Sequence, residues 1–198
     1  QKWSSWLSSL REKYDVYNDL AGLVDLKKKV CPYFFIHHLT RKLIGGETIV
    51  FADGTACVAG FQASIIKKNQ RLYHNSGCAS MGYDLPAAIG AYIATKRKTF
   101  CIAGDGSIMM NIQDLATISL MKLPITIFIL DNGGYHSIRQ TQNNFFPNRT
   151  IGCGEESGLL FPNFESIGKG FGIKSITIEN NEGLIEQIPN LVKEDEPI

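Results

Sequence analysis

Short apolar stretches rich in β-branched and aromatic residues recur along this chain, and helical patterns separate them. Glu47 to Ala52, Arg71 to Tyr73, Thr99 to Ala103 and Ile125 to Leu130 read as strands, with another expected near Ile173 to Ile178. Helical spacing runs through Tyr33 to Leu43, the stretch after Gly54, Leu85 to Thr95, Ser107 to Met121, about Asn163 to Phe171, and a last stretch reaching about Val192. Pro86 falls in the first turn of its helix, where the absent N–H costs nothing. A strand that is apolar along its length is buried on both faces, and alternation with helices calls for parallel strands joined by crossovers. The fold class expected is therefore α/β, a parallel sheet with helices on both faces in a Rossmann-like, three-layer arrangement. In such sheets ligands sit at the carboxyl ends of the strands.

The 198 residues suffice for one domain, or one domain with a short appendage. A formal net charge of +1 argues against a nucleic-acid groove or a polybasic membrane surface. Lys27 to Lys29 and Glu194 to Glu196 read as solvated faces. The five cysteines, an odd set without CxxC spacing, suggest neither a disulfide framework nor a zinc site, and Cys57 and Cys101 read as small core hydrophobes. No apolar run approaches the ~18 residues of a membrane helix, and no signal peptide is visible. Asn148-Arg149-Thr150 matches a sequon that a reduced, cytoplasmic setting would leave idle. Trp3, Trp6, Leu7 and Leu10 recur at helical spacing, either on the domain's own core or between domains, so residues 1–30 read as a helical linker segment. Cys31-Pro32 is a break, after which 31–198 form the main domain. Pro197-Ile198 reads as the lead-in to one more strand, so the last strand of that domain is expected to lie outside the chain.

The chemistry concentrates where strands end. Gly104-Asp105-Gly106-Ser107 closes one apolar strand, and Asp131-Asn132-Gly133-Gly134-Tyr135 closes the next. A Gly-Asp-Gly by itself is compatible with any tight turn. Adjacent parallel strands would set the two loops side by side, and a carboxylate with an amide oxygen makes a hard donor pair suited to Mg²⁺. The glycines would let backbone approach a ligand closely. A helix starting at Ser107 would aim free N–H groups at an anion held there.

The stretch from Gly104 through Asn132 resembles the fingerprint of thiamine diphosphate (ThDP) enzymes, a GDG followed past the next strand by an Asn-containing turn. The resemblance implies that Asp105, Asn132 and the carbonyl of Gly134 hold Mg²⁺, which holds the diphosphate beside Gly104, Gly106, Ser107 and Tyr135. Asp131 stands where the family usually has a first Asn, which is not a ligand. Ser76 to Ala91 is similar to the GxMGxxLPAAIGA segment of acetolactate synthases and their relatives. It implies that Met81 props the cofactor into its bent shape and that the Ala79 carbonyl accepts from its aminopyrimidine. Ala87, Ala88, Gly90 and Ala91 read as close helix–sheet packing. Ala52 to Ala56 matches the family's diphosphate-end loop, with Gly54 and Thr55 offering an N–H and a hydroxyl. Acetolactate synthases usually carry Gln-His-Gln there, where this chain has Thr55-Ala56-Cys57.

The resemblance covers nearly the whole chain from about Pro32. It implies the ThDP- and Mg²⁺-binding domain of an acetolactate synthase-like enzyme, which decarboxylates a 2-oxo acid such as pyruvate and transfers the acyl carbanion to an acceptor. The cofactor supplies the electron sink and the protein supplies conformation and orientation. No catalytic residue is expected within these 198 residues, because the family's glutamate lies on a pyrimidine-binding domain of a partner subunit. A middle domain, which carries FAD in some relatives, is also outside the chain, and a homo-oligomer, dimer or tetramer, is implied. Alternatives stay open: a related 2-oxo acid decarboxylase, a lyase acting on keto-sugars, a complete β subunit of a two-subunit decarboxylase, or a non-catalytic ThDP-fold module. His37, His38 and His74 read as structural, His136 as a candidate at the pocket lip, and Ser137, Ile138 and Thr141 as candidates facing substrate. Glu155 and Glu156 are the nearest acids after the metal turn.

Overall fold

The structure is a computed structural model that describes residues 2–14 and 24–198. Its strands β1 (Thr48–Phe51), β2 (Arg71–Tyr73), β3 (Thr99–Gly104) and β4 (Ile125–Leu130) form a parallel sheet in the order β2-β1-β3-β4. Thr48 pairs with Thr99 and with Arg71, and Thr99 pairs with Ile125. Side chains of a strand alternate between faces, and every residue of β1 is buried, so both faces of that strand are covered. The α/β class and the parallel sheet expected from the alternation are those observed.

The helices are α1 (Lys2–Lys13), α2 (Pro32–Lys42), α3 (Thr55–Ala63), α4 (Asp84–Thr95), α5 (Asp105–Ile108), α6 (Asp114–Leu120), α7 (His136–Phe145), α8 (Phe164–Gly170) and α9 (Asn181–Leu191). Pro32 opens α2, and Arg41 and Lys42 sit in its last turn, each where its chemistry suits a helix end. Phe34, Phe35, Ile36 and Leu39 of α2 enter the core, and α2 packs on α3 and α9. The apolar helix α4 lies against β1 and β3. Residues 25–31 are fastened to α9 through Asn181, whose side chain accepts from the Cys31 N–H (2.9 Å) and donates to the carbonyls of Asp25, Lys28 and Lys29.

Of the two placements left open for α1, its apolar face is not on the domain's core: the Trp3 and Trp6 rings lie 4.9 Å apart, tilted by 31°, and both are exposed, as is Leu7. Two expectations are corrected. Ser107 to Met121 is not one helix, because the chain turns at Met109–Gln113 and restarts at Asp114. The turn lets the Asn111 amide reach the Gly82 carbonyl at 2.6 Å, a tertiary contact that helical periodicity does not register. Ile173 to Ile178 is not a strand. A strand needs a ladder partner, and the edge of β4 is instead met by Ile198, which accepts from the Ile127 N–H (2.7 Å) and donates to the Ile125 carbonyl (3.3 Å). The Pro197-Ile198 lead-in thus takes strand-like bonds on β4, and an open cavity separates β4 from the 173–180 segment.

Candidate functional site

The loops after β1, β3 and β4 leave the same edge of the sheet from adjacent strands. They line one side of an open cavity of about 1300 Å³ that includes Gly54, Ala79, Met81, Gly104, Asp105, Gly106, Ser107, Asn132, Gly134 and Tyr135. The fold therefore brings together candidates more than seventy residues apart, as from Gly54 to Asn132. The Thr55 side chain lies outside the described residues.

Asp105 is the hinge of this arrangement. It is 2% exposed, and its Oδ1 accepts from the Gly106 N–H at 2.7 Å. Its Oδ2 accepts from the N–H groups of Asn132 (3.1 Å) and Gly134 (2.9 Å), which ties the β4 loop to the β3 loop. Burial pushes the Asp105 carboxyl above the ordinary carboxylate range, the three N–H groups oppose that, and the nearby Asp131 charge adds to it. Among the described residues no three His, Cys, Asp or Glu side chains cluster to hold a metal. At this edge of the cavity lie the carboxylates of Asp105 and Asp131 with the amide of Asn132 and the backbone of Gly133 and Gly134, oxygen donors of the hard kind that Mg²⁺ prefers.

The glycines serve two purposes. At Gly134 (φ +139) a Cβ would stand 2.2 Å from the Cys153 carbonyl oxygen, and at Gly106 it would stand 2.3 Å from the Tyr135 ring. Those two are required by the protein's own backbone and aromatic neighbours, not by a ligand. At Gly54 (φ +79) the space around a Cβ is open, which leaves that loop's backbone free to be approached. Tyr135 is turned onto Gly106 and meets the Phe161 ring edge-on at 5.7 Å.

The helix-terminus expectation for Ser107 is corrected. The helix begins at Asp105 and is one turn long, and its Gly106 N–H is already taken by Asp105. The Ser107 hydroxyl donates to Asp84 Oδ2 at 2.5 Å and accepts from the Gly82 N–H at 2.9 Å, so it faces the protein. Ala79 has left-handed backbone (φ 52), with its N–H on the Asn75 carbonyl at 2.7 Å, a strained conformation of the kind that gathers at binding sites. Met81 is 45% exposed although large and apolar, and it lines the cavity.

Further out, His136, Ser137 and Ile138 line the cavity, whereas the Thr141 hydroxyl is spent on the Ser137 carbonyl within α7. His37 is buried, His38 stacks on Phe34 and His74 meets Phe61 edge-on, all packing roles. Glu155 and Glu156 lie in a 3₁₀ turn (Glu155–Ser157) beside Gly154, which bridges to Gly134. Two acids escaped sequence reasoning. Asp84 is wholly buried; its signal is a charge opening an otherwise apolar helix. Asp53 lines the cavity with both carboxyl oxygens buried and outside hydrogen-bond reach of any described partner. Burial pushes its carboxyl up.

The family model described as "Thiamine pyrophosphate enzyme, C-terminal TPP binding domain" matches residues 53–198. The acetolactate synthase large subunit of Porphyra purpurea is 36% identical over 132 residues, which are 66% of this chain and 22% of that protein. The acetolactate synthase isozyme 2 large subunit of Escherichia coli (strain K12) is 36% identical over 124 residues, 62% of this chain and 22% of that protein. The solved Rhodococcus jostii RHA1 thiamine diphosphate-dependent 4-hydroxybenzoylformate decarboxylase superposes with a TM-score of 0.76 at 21% identity, covering 88% of this chain and 32% of that one. The chain thus spans about a fifth of the length of the curated relatives it matches, at 22% of each.

Proposed function

This chain belongs to the thiamine pyrophosphate enzymes as their C-terminal TPP-binding domain, and from that premise we propose that it holds ThDP and Mg²⁺ for an acetolactate synthase-like enzyme. That enzyme decarboxylates a 2-oxo acid such as pyruvate and passes the acyl unit to an acceptor. The observation that carries the reading is Asp105, which is buried, bonded to the N–H groups of Asn132 and Gly134, and open to the cavity.

In this reading Asp105, the Asn132 amide oxygen and the Gly134 carbonyl hold Mg²⁺. The open backbone at Gly54, with Thr55, Gly104, Gly106 and Tyr135 around it, receives the diphosphate. The Ala79 carbonyl and Met81 hold the pyrimidine end, which the strained turn at Ala79 and the exposed Met81 support. ThDP supplies the electron sink for decarboxylation, and the residues of this chain bind and orient it. The glutamate that acts on the pyrimidine ring belongs to the partner subunit's pyrimidine domain in a dimer or tetramer. FAD, where the enzyme carries it, belongs to a middle domain. Among the described residues no helix is long and apolar enough to cross a membrane, and the setting proposed is the cytoplasm.

The loop Thr55-Ala56-Cys57, in place of Gln-His-Gln, supports a second reading, a related 2-oxo acid decarboxylase or a lyase acting on keto-sugars. Acetolactate formed from pyruvate alone by the full-length enzyme would decide for the first.

Asp105→Ala in the full-length enzyme tests the shared core of both. Even partners of metal ligands cost roughly 10–100-fold in affinity when removed, so the loss in a calorimetric ThDP–Mg²⁺ titration should be at least that large. Wild-type affinity would overturn the assignment.

A further inference from the structure

Asp84 is 0% exposed, at the start of an apolar helix. A buried carboxylate is costly unless it is paired or hydrogen-bonded. It is not an ordinary cap, since the residue at the cap position is Tyr83, which makes no side-chain cap bond. Its two oxygens are divided: Oδ1 accepts from the Leu85 N–H at 2.9 Å, and Oδ2 accepts from the Ser107 hydroxyl at 2.5 Å.

The bond to Ser107 has a directional consequence. With its proton committed to Asp84, the Ser107 oxygen presents lone pairs outward, and one accepts the Gly82 N–H at 2.9 Å. The Gly82 carbonyl accepts from the Asn111 amide at 2.6 Å. Both backbone polar groups of Gly82 are thus held by the segment that follows β3. The approach is close: a Cβ on Gly82 (φ +82) would stand 2.7 Å from Met110 Cβ and from Asn111 Nδ2. Gly82 is the residue after Met81, and Ser107 is two residues after Asp105.

We infer that Asp84 is a positioning residue, which sets the polarity of the Ser107 hydroxyl and through Gly82 fixes Met81 relative to the Asp105 end of the cavity. The inference rests on the function proposed above, with Met81 as the cofactor prop. Burial pushes the Asp84 carboxyl up despite the Ser107 and Leu85 bonds, which favour its charged form.

Asp84→Asn reverses the relay. An asparagine has one acceptor oxygen, and with its amide turned to Ser107 the hydroxyl proton loses its partner while Gly82 N–H must compete for the oxygen. The experiment is a double-mutant cycle in the full-length holoenzyme with Asp84→Asn, Met81→Ala and the pair, reading kcat and ThDP affinity. Misplacement on the ångström scale costs up to about 100-fold. We expect each single variant to lower kcat by roughly 10- to 100-fold, with ThDP affinity largely kept and the pair no slower than the worse single. Effects on kcat that multiply, or an Asp84→Asn enzyme with wild-type kcat, overturn the inference. Should Asp84→Asn not fold, Ser107→Ala breaks the same relay from its other end, and the same cycle with Met81→Ala decides. Asp105→Ala is run alongside. If it destroys ThDP affinity while the cycle is additive, the inference alone fails; if it leaves affinity intact, the functional reading fails and takes the inference with it.

Discussion

Glu47 stands at the amino end of β1, far along the strand from the cavity loops, and is 8% exposed. Burial pushes its carboxyl up, but the Gln70 amide at 2.6 Å and the N–H groups of Ile44 and Gly45 outweigh that and hold it below its ordinary value of 4.5. A carboxyl with a depressed folded pKa stabilises fully above its unfolded value, and that share is lost as pH falls through the folded one. Glu47→Gln should therefore cost about 2 kcal/mol near neutral pH, as hydrogen bonds to a charged group do. The deficit should shrink in acid below the carboxylate range, read from urea midpoints at the two conditions. A deficit independent of pH would mean the side chain acts by shape. Residues differ in how visible such roles are beforehand. Asp105 and Asn132 are legible because each follows an apolar strand in a glycine-flanked turn. Asp84 is not, because its partner Ser107 is remote in sequence and becomes its neighbour only through packing.

Elements are legible to the extent that their cause is local. β1, β3 and β4 are short, mostly apolar runs, and α2 carries Pro32 at its start, so their positions follow from the chain itself. The break between α5 and α6 is held by the Asn111 contact with Gly82, and the 173–179 segment lacks a ladder because Ile198 occupies part of the β4 edge. Neither cause is local, so periodicity alone reads a long helix and a strand. The packing of α3 is testable in the same terms. A Cβ on Gly60 would stand 2.7 Å from Cε1 of Phe51, a side chain 1% exposed at the end of β1. Gly60→Ala should destabilise by about 1–3 kcal/mol through overpacking, measured by equilibrium unfolding. A neutral result would mean that α3 can lift from β1 without cost.

At the scale of the whole molecule, the proposed site is one-sided. The acids lining the cavity are Asp53, Asp105, Asp131, Glu165 and Glu179, and the proposed function places the proton-relaying glutamate in a partner's domain. The 198-residue chain alone, with saturating ThDP and Mg²⁺, should exchange the thiazolium C2 proton no faster than free ThDP in buffer, as followed by deuterium NMR. Acceleration would mean that the domain holds its own base, with Asp53 the first to substitute. The parallel sheet carries one more implication, for synthesis of the chain. No neighbouring strands in it are joined by a hairpin, since Thr48 must wait for Thr99 and Thr99 for Ile125. The Tyr135 N–H finds its carbonyl partner only when Cys153 arrives. Gly54 leaves the ribosome about 100 residues ahead of Cys153, a delay of roughly 5–20 s at ~5–20 residues/s. During that interval the nascent chain shows apolar strand edges with no partner, and that is the length at which a chaperone should find it.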